Sequence, residues 1–278
     1  MVYWARLDRF ESAVDAIVNG DIATLRELLR ADPSLVHARS ARPHAATLLI
    51  YTAANGVEEE RQKTPPNIVD IARLLLDSGA DVNAACDAYG TQCHTLDLAA
   101  TSYHPLKAGV QIELLQLLLD RGASLDIPNL IPACLGNCRL KAAEFLASKG
   151  AKIDLIGAAG LGDLVKTKEL FGRATGEQKH YALMWASEYG RNDVIEFLLE
   201  QDTDLSNYTP DGQTALHWAV IGGQVDTVAL LLRHHAPLDA VNRYGGTPLG
   251  QAQWSLEHAG DPEPFRKIIE MLKAAGAK

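Results

Sequence analysis

Apolar residues along this chain recur in short helical stretches that come in pairs, each pair split by glycine or a polar turn. The clearest pair lies in 211–241, DGQTALHWAVIGGQVDTVALLLRHHAPLDAV. Asp211-Gly212 predicts a turn, 214–221 a short helix, Gly222-Gly223 a break and 225–233 a second helix. The phase repeats elsewhere: Ala142, Ala143, Phe145 and Leu146 fall where Val194, Ile195, Phe197 and Leu198 fall. Carried along the chain, the pattern predicts helix pairs at 11–18/22–30, 47–55/67–77, 94–102/110–120, 129–136/139–148, 153–160/163–171, 181–189/192–200, 214–221/224–233 and 247–256/264–274.

The first members of these pairs share a ten-residue word. It reads TALHWAVIGG, YALMWASEYG and TPLGQAQWSL late in the chain, and ESAVDAIVNG, TLLIYTAANG and HTLDLAATSY early in it. Most second members end at a glycine followed by alanine: Gly79-Ala80, Gly122-Ala123, Gly150-Ala151 and Gly276-Ala277. Glycine there permits the left-handed conformation that closes a helix. Two repeats carry Asp202 and His235 at that place instead. This arrangement resembles the ankyrin repeat. The resemblance implies an all-α, ankyrin-repeat solenoid of about eight helix-turn-helix repeats, with 1–278 as a single ankyrin-repeat domain. No single unit of such an array can bury its apolar stripe alone, so stacking supplies the core.

Departures from the period carry separate information. Repeats in 129–175 are short and irregular, and Ala151-Lys152-Ile153 runs from one stop almost directly into the next helix. Insertions separate the two helices of three repeats, at 57–67, 104–110 and 257–264. Insertions in a repeat protein map to one face, often a binding face. The competing reading is a tolerated surface loop, because loop closure costs little.

Composition narrows the partners. The net charge is −9, and no basic block interrupts the acidic excess. Nucleic acid is therefore not expected as a partner, since phosphate neutralisation needs clustered Lys and Arg. A membrane surface is excluded on the same ground, and no apolar run has spanning length. The start, MVYWARLDRFESAV, lacks the apolar core of a signal peptide, which makes a cytoplasmic location the expectation. Cys86, Cys93 and His94 are the residues nearest to a metal set, but no C-x-x-C pair is present, and no metal is expected. Nucleotide-binding and hydrolase motifs are absent, and no cofactor is expected.

In the ankyrin family the first helices line the concave side. The resemblance places Tyr51, Asn55, Leu98, Thr101, Trp185, Glu188, Tyr189, Trp218 and Trp254 at exposed concave positions, with small residues Ala133, Gly157 and Gly160 between. Tyr51, Trp185, Tyr189, Trp218 and Trp254 are the expected partner-binding residues, because Trp and Tyr combine apolar area with a polar handle. The competing reading packs Trp185 and Trp218 between neighbouring helices. A second set is ionisable: His44, Tyr51, Glu58, Glu59, Glu60, Arg61, Asp97, Tyr103, His104 and Lys107. The run 58–60 reads as a solvated charge run. Asp97 stands where the family word has histidine, as His217 does, and can accept the same backbone N–H bonds. Two functions follow: a module that binds a protein partner through its concave face and turns, or a binder of a small-molecule ligand, or an enzyme, with an acid–base site drawn from His94, Asp97 and His104.

Overall fold

Most helices in this chain stop at a left-handed residue, and several start at a side chain that accepts a backbone N–H, so the helices are short and turn back in pairs. The computed structural model describes residues 2–54 and 58–278, so Asn55 and Val57 lie outside the described residues. The chain divides into two units, Met1–Lys152 and Ile153–Lys278.

In the first unit, α1 (Val2–Asn19) pairs with α2 (Ile22–Ala31), whose N-cap Asp21 accepts from the Thr24 amide at 3.0 Å. The next first helix, expected over 47–55, is only a 3-10 turn, Ile50–Ala53. The Thr52 hydroxyl donates back to the Leu49 carbonyl, and Ala54 at φ 47° halts the chain. Its partner is α3 (Ile68–Asp77). Then come α4 (Thr95–Thr101), the short α5 (Tyr103–Lys107) built from the second insertion, α6 (Gln111–Asp120), α7 (Leu130–Gly136) and α8 (Leu140–Ser148). A hairpin of β1 (Ala85–Ala88) and β2 (Thr91–His94) precedes α4. Its turn residues, Tyr89 and Gly90, both have positive φ, the combination a type I′ turn requires.

The second unit keeps the paired order: α9 (Leu155–Leu161) with α10 (Leu164–Phe171), α11 (Gly176–Glu188) with α12 (Asn192–Glu200), α13 (Ala215–Ile221) with α14 (Val225–Arg233), and α15 (Pro248–His258) with α16 (Glu263–Ala274). One apolar cluster runs through it, with Leu183, Ile195, Leu198, Leu216, Ala219, Val228 and Leu231 fully buried. Helix α11 begins about a turn before the expected 181, because Thr175 and Gln178 form a reciprocal cap. Gly150 and Gly276 close their helices at φ 96° and 100°. Asp202 and His235 do the same at 57° and 60°, despite their side chains.

Candidate functional site

The first helices of the second unit present an aromatic face. The Trp185 and Trp218 rings meet edge to face at 4.8 Å between centroids, and Tyr189, one turn after Trp185, stacks against it at 6.1 Å. Trp185, Tyr189 and Trp218 are half-buried; the Trp218 indole N–H is enclosed without a hydrogen-bond partner among the described residues. Both of the readings weighed for the two tryptophans therefore have a physical basis, since each ring packs on one side and is open on another. Trp254 on α15 is 59% exposed and stacks on His258 at 4.3 Å. Glu188 lies on the same helix as Trp185 and Tyr189, and burial pushes its carboxyl up to about 7. Gly157 and Gly160, expected at the floor of a groove, are instead buried in α9. Helix α9 packs against α11.

The ionisable set of the first unit falls into two places. At the first, Glu58 is a hub rather than part of a solvated run. It accepts from the Tyr51 hydroxyl at 2.5 Å, pairs with His44 Nε2 at 2.9 Å, and bridges Arg42 and Arg61 at 3.2 Å each. Both arginines also reach Glu11, at 3.0 and 2.6 Å. Burial raises the Glu58 carboxyl, but Tyr51, Arg42, His44 and Arg61 outweigh it, and the net shift is downward. Burial, with Glu58 adding to it, raises the Tyr51 hydroxyl well above its ordinary range. Tyr51 is thus a buried member of a network that pins the first insertion, not an exposed anchor.

The second place is a cavity of about 500 Å³ between the hairpin, α4, the start of α5 and α7. Asp97, Tyr103, His104 and Arg139 line it, as do Thr101 and the exposed Ala133; Leu98 forms part of an apolar wall and is buried. His94 does not line it. Asp97 Oδ1 accepts from the His94 and Leu98 amides at 2.7 and 2.8 Å. This is the role His217 plays in α13, where Nδ1 accepts from the Thr214 amide at 3.2 Å while Nε2 reaches the Gly246 carbonyl at 3.2 Å. Burial lowers the His217 pKa, keeping it neutral for that pair of bonds. Burial raises the Asp97 carboxyl, against the two backbone bonds. Among the described residues no hydrogen bond joins Asp97 to His104. Lys107 sits outside the cavity, its ammonium 5.8 Å from the Tyr103 ring centroid.

Cys86 and Cys93 face each other across the hairpin as buried free thiols, with pKa values that burial pushes up to about 12 and about 11. Thiols held protonated in this way are poor nucleophiles and metal ligands. Sequence reasoning missed Arg139, whose only local signal is its place just after a helix break.

Paired short helices, stacked on their neighbours and closed by left-handed stops, define a helical-repeat protein. The family model described as ankyrin repeats, three copies, matches residues 155–242 and 183–272. Over residues 155–272 the chain carries ankyrin repeats, which serve generally as protein–protein interaction modules. Similar proteins include inversin of Danio rerio, 41% identical over 69 residues, which is 24% of this chain and 7% of inversin. Ankyrin repeat and SAM domain-containing protein 6 of Danio rerio is 30% identical over 169 residues, 60% of this chain and 20% of that protein. Serine/threonine-protein kinase VIK of Arabidopsis thaliana is 30% identical over 95 residues, 34% of this chain and 20% of the kinase. The chain spans at most a fifth of the length of these curated relatives. Among the described residues no helix is long and apolar enough to cross a membrane.

Proposed function

We propose that the protein binds a partner protein on the first-helix face of the second unit, with Trp185, Tyr189, Trp218 and Trp254 as anchors. The observation that carries this reading is the aromatic row itself. Trp185 contacts both Trp218 and Tyr189, and Trp254 leaves more than half of its surface in water. Large rigid aromatics supply contact area at little conformational cost and dominate interface energetics. Replacing Trp254 by alanine removes no buried contact of the core, so it tests the surface separately from the fold. A photo-crosslinking residue placed at Trp254 should capture the partner, and one placed at the exposed Glu200 at the end of α12 should not. With the captured partner in hand, Trp254→Ala should weaken it by about 1–3 kcal/mol at unchanged thermal stability. Equal capture at both positions, or unchanged affinity, removes this face from consideration.

Of the acid–base candidates, Asp97 and His104 share one cavity while His94 stands apart from it. Asp97 already serves as the cap of α4, and no hydrogen bond links it to His104. That arrangement supports binding in the cavity rather than turnover.

A further inference from the structure

The cavity of the first unit plays no part in the partner-binding reading, yet it is furnished for a ligand. Its size falls within the range of small-molecule clefts. Leu98 and Leu130 give it an apolar wall. Two groups of opposite charge also line it, and the fold uses only part of each.

Arg139 is held on three sides. Its Nε donates to the Ser102 carbonyl at 3.0 Å, its Nη1 donates to the Asn137 and Cys138 carbonyls, and its guanidinium lies 5.5 Å from the centroid of the Tyr103 ring. Nη2 makes no hydrogen bond to the described residues. The result is a permanently charged donor, fixed in orientation before any ligand arrives. Such pre-organisation spares the entropy a free arginine would lose on binding. Asp97 is the counterpart. Both its backbone bonds fall on Oδ1, and Oδ2 takes none.

We propose that this cavity binds a small monocarboxylate, its anionic end on Arg139 Nη2 and a hydroxyl or ammonium group on Asp97 Oδ2, with its apolar part against Leu98 and Leu130. A carboxylate fits better than a phosphate. One guanidinium edge balances one negative charge, whereas a dianion would leave its second charge facing Asp97. An ammonium or hydroxyl donor on the ligand satisfies Asp97, which an unsubstituted fatty acid would leave unmet. The site is independent of the aromatic face of the second unit.

The test uses the full chain and defined probes: L-leucine, L-phenylalanine, 3-phenyllactate and mandelate, the methyl ester of each, and inorganic phosphate. Saturation-transfer NMR at millimolar concentration reads contact, and calorimetry reads affinity. At least one free acid should bind, with its ester about tenfold weaker or worse, the loss of one charge-assisted bond. Arg139→Gln should weaken the acid by a similar factor. Because Arg139 also ties down three carbonyls, Ala133→Phe serves as the second variant. It fills the cavity from an exposed position and should abolish binding while the melting temperature holds. Asp97→Asn keeps an oxygen for the cap and should weaken the amino acids more than the hydroxy acids. Trp254→Ala should change nothing. The proposal is overturned if no acid binds, if esters or phosphate bind as well as the acids, or if binding survives Ala133→Phe.

Discussion

The two units build the same helix-pair frame from different materials. In the second, one continuous apolar cluster passes through the helix pairs, and its caps are local. In the first, a helix shrinks to a single 3-10 turn, a hairpin projects, one insertion folds into α5, and another is pinned by an ion-pair network around Glu58. The family model matches within the second unit alone. Where repeats keep the common pattern, neighbouring side chains fill the space between helices and leave a face for contact. Where they depart from it, polar groups take over the bracing, and the mismatch in shape leaves a cavity.

Leu216→Ala should have the largest effect on this contrast. Leu216 is fully buried in the apolar cluster, and its truncation should cost about 2–5 kcal/mol. Nearest-neighbour stacking confines the loss, so hydrogen exchange should quicken in the second unit while the first keeps its protection. Uniform quickening along the chain would erase the distinction. Glu58→Ala asks the converse. It leaves His44, Tyr51, Arg42 and Arg61 without their shared acceptor, with the Glu58 side chain only 13% exposed in the native state. A loss of about 3 kcal/mol, with exchange rising only in the first unit, is expected.

A smaller effect concerns pH. Glu188 titrates near 7 in the folded chain instead of its ordinary 4.5, because of burial. Between those values the folded chain holds a proton that the unfolded chain releases. Its contribution is therefore most favourable below 4.5, worsens as pH rises through that window, and is constant above about 7. Glu188→Gln should raise stability above the window by up to about 3 kcal/mol, and leave it unchanged below. Thermal melts across the pH range check both ends. A gain that persists in acid would mean the carboxyl is not the cause.

Much of the second unit was legible because each of its signals is local. The apolar phase of 194–198, the turn at Asp211-Gly212 and the helix at 214–221 need only neighbours in the sequence. The likeness of Asp97 to His217 was legible too, since both side chains accept from the amide three residues before them. The hairpin was not read, although Gly90 hinted at it, because tyrosine is an unusual residue for a turn needing positive φ. Glu58 was misjudged because its partners Arg42 and His44 lie on another loop, and the Glu11 that shares Arg42 with it lies on another helix. Arg139 was overlooked for the same reason: the Ser102 carbonyl it holds is 37 residues away in sequence. Residues whose meaning depends on distant partners were the ones the linear pattern concealed.

The left-handed helix ends at Asp202 and His235 have one more consequence. Both residues stand where glycine would be relaxed, and an L-residue there costs about 1 kcal/mol. Asp202→Gly and His235→Gly should each raise the melting temperature slightly, so the chain forgoes stability at these points. What it keeps are polar side chains at the ends of α12 and α14, lining one open cleft with Asp204 and His234. A glycine in their place would be mute. These ends are positions where the array can be rewritten, one residue at a time, without disturbing the stacking beneath.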